Sequence, residues 1–343
     1  MLNFFHIPII NIRFPKCKHY DTIRTIYENE VCTLAKSLEQ RKGFAYGSLV
    51  LVILLWGVSP FLYLYYFDYY SPSIMISFNA LVSGIALLLF SLRNLSLLNA
   101  TYFKVAIPVA FFYASANILQ KIGLQFTTPT RYSFLEQLSC VVVPVLLFFF
   151  VGKKPKFLTV LASLLCLAST FILNGVASDN GASIGIGEIL CGLSGIFYGV
   201  NIAATGTFAK KLHAPLYLMI QMFTEAVISF VAAIVFSKVL INGEPMEPIR
   251  FSFAFWPMAG RIVTTLIFGT LCWVLRTNAM KTVDPAAVAI MMPFSSVITT
   301  IISICVGTDT LSGSLVFGVI LGLIAIILSG LGDKIDIRKS KKQ

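Results

Sequence analysis

Charge is what this chain has least of. Asp, Glu, Lys and Arg make up only 12% of its 343 residues, and acids are scarcer than bases, 15 against 26. Histidine occurs three times, at His6, His19 and His213, without the H-E-x-x-H spacing of a zinc hydrolase. No Walker loop appears, which leaves no basis for ATP drive from this chain. The seven cysteines include no C-x-x-C pair. Five of them (Cys140, Cys166, Cys191, Cys272, Cys305) fall in apolar runs, where cysteine is a small packing residue. Neither a metal nor any other cofactor is expected.

Apolar surface is what the chain has in excess. It is 57% hydrophobic, with a mean hydropathy of +0.85, more than a soluble domain needs. Runs of about 20 residues with few charges follow one another, the pattern of a polytopic helical membrane protein. The runs are continuous rather than alternating, which argues against a membrane β-barrel. The net charge of +11 does not point to nucleic acid, because most basic residues sit in short loops and at the termini.

Residues 1–42 differ from the rest and read as a cytoplasmic leader. MLNFFHIPIINI is too short an apolar run to span and lacks a signal-peptide cleavage pattern. Asp21 to Lys42 is charged and could form a surface helix. Ten spans are expected after it, near 44–67, 72–92, 103–127, 130–151, 156–175, 184–208, 215–237, 257–280, 285–306 and 313–332. Lys and Arg concentrate in alternate loops: Arg93 and Lys104, then Lys153, Lys154 and Lys156, then Lys210 and Lys211, then Lys281. With the basic tail at 333–343, this asymmetry puts both termini in the cytoplasm of a multi-pass protein of the cell membrane.

The two halves repeat. Trp56-Gly57 corresponds to Tyr198-Gly199 at a spacing of 142, and Thr128-Pro129 to Asp284-Pro285 at 156. Five spans in each half, 44–175 and 184–332, make the second half an inverted copy of the first, with the substrate site expected between them. The expected fold class is therefore an all-α integral membrane protein of ten transmembrane helices in two inverted five-helix repeats.

These features together resemble the EamA-type transporters of the drug/metabolite transporter superfamily. The resemblance rests on Trp56-Gly57, its echo Tyr198-Gly199, the short hairpins joining spans 3–4 and 8–9, GEILCGLSGIFYGVN at 187–201, and the Gly-rich tenth span ending ILSGLG. It implies that spans 3–4 and 8–9 wall a central cavity, with spans 5 and 10 outside. Lys153 and Asp309 stand where members usually carry glutamate after spans 4 and 9.

The candidate chemistry lies in the few polar residues inside the spans. Lys121 and Glu136 flank the Thr127–Thr130 turn at equal distances, so both sit about 9 Å inside the same membrane face. Charges there usually pair or line a polar path, and a structural Lys121–Glu136 pair is the plain alternative to a transport role. Glu225 is near the middle of span 7 with Gln221 one turn before it on the same face. An ionised carboxylate there costs roughly 3 kcal/mol, which makes Glu225 the candidate proton-coupling residue beside Glu136. Trp56 is mid-span, where an interfacial belt does not explain it, whereas Trp256 suits the headgroup level. Trp56, Asn117, Lys121, Glu136, Tyr198, Asn201 and Trp273 are the candidate substrate-binding residues. Arg276 reads as a snorkelling side chain near a span end, and the Ser and Thr residues of spans 8 and 9 as packing groups.

The expected activity is secondary transport of a small metabolite (an amino acid, a drug-like or a related solute), with export as the direction the resemblance implies. The partners are the small-molecule substrate and the lipid bilayer, with a homodimer left open and no nucleic acid. An organophosphate or nucleotide-sugar antiporter is the first alternative, supported by Lys121 and Arg276 but opposed by the lack of Lys and Arg between Lys281 and Lys334. An intramembrane aspartyl protease is the second, from Gly330-Leu331-Gly332-Asp333 and Phe67-Asp68. Its carboxylates would have to share a proton, yet Asp68 and Asp333 fall about 30 Å apart across the bilayer. The chain is not read as an enzyme.

Overall fold

The computed structural model describes residues 18–152, 157–176, 185–241, 244–292, 294–308, 313, 316–325 and 327–328. Met1–Phe44 and Ala45–Gln343 form two separate compact units. In chain order the helices are α1 (Lys18–Tyr66), α2 (Pro72–Ser91), α3 (Ala100–Leu124), α4 (Pro129–Leu135), α5 (Ser139–Val151) and α6 (Phe157–Val176). They continue with α7 (Ile186–Phe208), α8 (Ala214–Phe236), α9 (Phe255–Thr264), α10 (Cys272–Ala279), α11 (Pro285–Met291) and α12 (Phe294–Val306). Proline in the first turn starts α2, α4 and α8, where its missing N–H costs nothing. Asn99 and Thr128 cap α3 and α4 by accepting from the N–H groups of Thr101 and Arg131.

Among the described residues eight stretches are long and apolar enough to cross a membrane: Lys42–Tyr66, Pro72–Leu97, Ala100–Leu124, Pro129–Val151, Ile186–Phe208, Ala214–Phe236, Phe255–Ala279 and Ala287–Val306. Within the fifth and tenth expected spans the described residues hold shorter apolar stretches, Val160–Ser169 and Val316–Ala325. Residues 1–17, Lys153, Asp309 and the tail from 329 lie outside the described residues. Large apolar side chains face outward along the bundle (Leu54, Leu89, Phe111, Phe149, Ile189, Val227), while Gln120, Lys121, Asn201, Glu225, Arg261 and Arg276 are buried. That inversion of the water-soluble pattern suits a chain whose solvent is lipid.

Two spans expected to be continuous helices are not. A single 3-10 turn, Glu136–Leu138, separates α4 from α5. A π-helical stretch, Thr265–Leu271, separates α9 from α10. Such irregular turns inside helices often mark functional positions. The wider π turn leaves the Phe268 carbonyl open to a side chain, and Trp56 Nε1 donates to it at 2.9 Å. The interior prolines free carbonyls in the same way. Pro60 leaves the Trp56 carbonyl to Ser59 Oγ at 2.8 Å, and Pro144 leaves the Cys140 carbonyl to Ser163 Oγ at 3.0 Å.

Among the glycines at which helices approach closely, Gly57 and Gly199 occupy matching positions. A Cβ on Gly57 of α1 would lie 2.6 Å from Ile298 Cβ and 2.9 Å from the Ser295 carbonyl of α12. A Cβ on Gly199 of α7 would lie 2.7 Å from Val142 Cβ and 3.4 Å from Ser139 Cα of α5. On the loop joining α8 to α9, the buried Glu247 carboxylate accepts from the backbone N–H and the hydroxyl of Ser73 at the start of α2. Burial pushes the Glu247 carboxyl above the usual carboxylate range, partly offset by those donors.

Candidate functional site

A central cavity of about 110 Å³ is bounded by α1, α2, α3, α4, α7, α8, the α9–α10 span and the start of α12. Its wall carries Trp56, Asn117, Lys121, Glu136, Tyr198, Glu225 and Trp273, seven of the eight residues singled out from the sequence. Asn201 lies off the wall, buried on α7 with its Nδ2 without a partner among the described residues. Gln221 is likewise buried and off the wall, so sharing a helical face with Glu225 does not bring it to the cavity. Asp68 is exposed in the turn after α1, and Asp333 lies outside the described residues.

One hydrogen-bonded network joins both buried acids. Asn117 Nδ2 donates to Glu225 Oε1 at 2.8 Å, and Gln120 Nε2 donates to Glu136 Oε2 at 2.7 Å. Lys121 Nζ ties the two amides together, donating to Asn117 Oδ1 at 3.1 Å and Gln120 Oε1 at 2.7 Å. Tyr198 Oη lies 2.7 Å from the same Asn117 oxygen and 2.9 Å from the same Gln120 oxygen, so its one proton serves one of them at a time. Asn117, Gln120 and Lys121 share a face of α3 because they are spaced three and four apart.

The network corrects the expected Lys121–Glu136 pair. The two charges do not touch, because the Gln120 amide stands between them with one end on each. Equal depth fixes a coordinate along the membrane normal and nothing about lateral separation. The ion pair at this hairpin is instead Arg131 Nη1 with Glu188 Oε1 at 3.1 Å, joined by Thr127 Oγ1 at 2.7 Å from the same oxygen. It connects the first turn of α4 to the first turn of α7.

Each cation on the wall lies against aromatic rings. Lys121 Nζ is 4.4 Å from the centroid of Tyr63 and 5.8 Å from that of Tyr132. The Arg261 guanidinium carbon is 5.4 Å from Tyr63 and 4.9 Å from Tyr66, and that of Arg276 is 4.5 Å from Trp273 and 5.7 Å from Trp56. Trp56 and Trp273 lie 5.2 Å apart, and Tyr113 meets Trp273 edge-on at 4.5 Å. Cation–ring attraction is strongest where water is excluded.

One sequence reading of arginine is overturned here. Arg276 does not snorkel: it is buried on the cavity wall. Arg261 is also buried on the wall, with Nε donating to Asn79 Oδ1 at 2.8 Å. Tyr63, Asn79, Tyr113, Gln120 and Tyr132 were not singled out. A mid-span amide such as Asn79 carries the same signal as Asn117, whereas tyrosines in apolar helices give none. Thr264, Thr265 and Ser295 do line the cavity. Ser296 and Thr299 act as packing groups, donating to the Ser133 and Gly57 carbonyls at 2.8 Å each. Among the described residues no group of three or more His, Cys, Asp or Glu side chains could hold a metal ion.

Residues 43–175 match the EamA-like transporter family. A protein named an uncharacterized transporter from Archaeoglobus fulgidus is 23% identical over 313 residues, 88% of this chain and 94% of its own. A protein of known crystal structure superposes with a TM-score of 0.63 over 84% of this chain and 96% of its own, at 16% identity, which shows a shared fold. The family match agrees with the resemblance drawn from Trp56-Gly57 and the first hairpin. With the eight apolar helices, these findings support a membrane transporter.

Proposed function

We propose that this chain, whose first half matches the EamA-like transporter family, is a secondary active transporter of the cytoplasmic membrane. It moves a small metabolite through the central cavity by alternating access, with export as its direction. The observation that carries this reading is the buried network from Glu225 through Asn117, Lys121, Tyr198 and Gln120 to Glu136, on the wall of a cavity inside an apolar bundle. Ionisable groups at such depth are costly and are retained where they serve a path. Trp56, Asn117, Lys121, Glu136, Tyr198 and Trp273 are assigned to substrate binding, and Glu225 with Glu136 to proton coupling.

The architecture proposed is ten spans in two inverted five-helix repeats, 44–175 and 184–332, with both termini cytoplasmic. The glycine contacts favour it. Gly57 meets Ser295 and Ile298, and Gly199 meets Ser139 and Val142, so the partners of one are offset from those of the other by the same 156 residues that separate the two hairpin prolines. Alternating access then follows from exchange of the two repeats' arrangements around the cavity.

The test is flux in proteoliposomes with a panel of metabolites, with a pH gradient imposed and then collapsed. Glu225→Gln keeps the size of the side chain and removes its titration. It is expected to keep solute exchange and to lose accumulation driven by the gradient. Gradient-driven accumulation that survives in Glu225→Gln excludes Glu225 as the coupling residue. A parent protein that moves no solute of the panel counts against the reading as a whole.

A further inference from the structure

The three cations of the cavity differ in what they already hold. Lys121 is occupied by two amide oxygens and the Tyr63 ring. Arg261 is held by Asn79. The Arg276 side chain makes no hydrogen bond among the described residues, and its Nε is a buried donor without a partner. It is nevertheless only 2% exposed and on the cavity wall. Leaving a buried cation with its donors unmade is among the most costly arrangements a protein keeps. The Trp273 and Trp56 rings lie against the guanidinium, 4.5 and 5.7 Å from its carbon, and supply it no hydrogen-bond acceptor.

A planar fork of donors matches a carboxylate, which accepts two parallel N–H bonds. The other charges on the wall limit the ligand's charge. Glu136 lies within Coulombic reach of Arg276, and Glu225 closes the far end of the network. One unoccupied cation beside two acids suits a single negative charge and opposes a phosphate or diphosphate dianion. The rings of Trp56, Trp273 and Tyr113 supply an apolar wall for the body of the solute. A cavity of about 110 Å³ has room for a small solute.

We infer that Arg276 is the anion-recognising residue of the cavity and that the solute it takes is a small organic monocarboxylate. The inference rests on the reading of this cavity as the transport site.

Binding is read from tryptophan fluorescence of the purified full chain. Trp256 is 81% exposed and does not line the cavity, so Trp256→Phe leaves emission from Trp56 and Trp273. Acetate, propionate and benzoate are titrated against acetamide, propionamide and benzamide, with inorganic phosphate as the doubly charged probe. Each carboxylate is expected to bind about tenfold or more tighter than its amide, and phosphate weaker than the carboxylates. Arg276→Gln is expected to bring the carboxylates down to the amide level, and Arg276→Lys to restore part of the preference. Equal binding of acids and amides by the parent overturns the inference, whether or not the variants fold. So does a preference that survives in Arg276→Gln, or phosphate binding tighter than the carboxylates. Flux of the same compounds separates the two readings. Carboxylates that bind through Arg276 but never cross the proteoliposome membrane sustain the site and count against transport. Amides or other uncharged solutes that cross while carboxylates neither bind nor cross sustain transport and overturn the site.

Discussion

The two hairpins of the bundle share a backbone and differ in chemistry. In the first, between α3 and α4, the Tyr132 N–H donates to the Thr128 carbonyl at 2.9 Å; in the second, between α10 and α11, the Val288 N–H donates to the Asp284 carbonyl at 3.0 Å. The pairs are 156 residues apart, as are the hairpin prolines Pro129 and Pro285. Following the same spacing, Thr127 corresponds to Val283, Arg131 to Ala287, Gln120 to Arg276 and Glu136 to Met292. The first hairpin is closed by polar contacts: Thr127 and Arg131 on Glu188, and Gln120 on Glu136. The second packs Val283, Ala287 and Met292 into one apolar cluster with Ala45 and Leu49. Where the first half sets an amide against an acid, the second has an arginine on tryptophan rings and, at the acid's position, a methionine in an apolar cluster. The lesson is that the charges of the first hairpin each meet a polar partner, although Arg131 Nε stays without one among the described residues, while the second leaves a cation whose side chain makes no hydrogen bond there. Mutations at matching positions should therefore have unlike consequences.

The largest effect is expected at Gln120. Gln120→Leu removes the group that links Lys121 to Glu136 and leaves both charges short of a partner inside the bundle. A loss of roughly 3–5 kcal/mol is expected, read as a large fall in melting temperature in detergent. A melting temperature unchanged within error would mean that the network contributes nothing and that the contrast between hairpins is empty.

Next come the glycines on which the correspondence itself depends. Gly57→Ala and Gly199→Ala each force a methyl to within 3 Å of a neighbouring helix, so each should destabilise by about 1–3 kcal/mol. The two losses should be similar. A large loss at one glycine and none at the other would break the equivalence of the halves.

Weaker is the latch at the first hairpin. Glu188→Gln keeps the bond from Thr127 but removes the charge that Arg131 meets, at a side chain still 10% exposed. A loss of about 1 kcal/mol is expected, shrinking with added salt. Salt-independent destabilisation would point to packing rather than the ion pair. The smallest stability effect is expected at Arg276→Met, since no hydrogen bond within the described residues is broken. Replacing an unpartnered buried ion by an apolar side chain is often neutral or stabilising. A fall in melting temperature as large as that of Gln120→Leu would place Arg276 in the structural network and remove the contrast.

Legibility followed the physics of each signal. Eight of the ten expected spans coincide with long apolar helices, because an uninterrupted apolar run of that length has few alternatives. The 3-10 turn at Glu136–Leu138 and the π stretch at Thr265–Leu271 left no such mark. Pro60 and Pro144 announce lost hydrogen bonds, but only the fold says that Ser59 and Ser163 fill them. Seven of eight candidate site residues reached the cavity because mid-span polarity is rare. Asn201 carried the same signal and missed it, since polarity alone does not say which side of a helix faces the cavity.

By itself, then, the sequence determined that this chain lives in a membrane and roughly where its long apolar helices run. Those properties are sums over many residues, and apolar periodicity reports them locally. The tertiary structure decided what each charge meets: Lys121 an amide rather than Glu136, Arg131 the Glu188 carboxylate, and Arg276 a pair of tryptophans. Partners arrive from helices far apart in the chain, and a distance of 3 Å separates a satisfied charge from an open one. That distance is set by the rotation and crossing of helices, which no single stretch of sequence encodes.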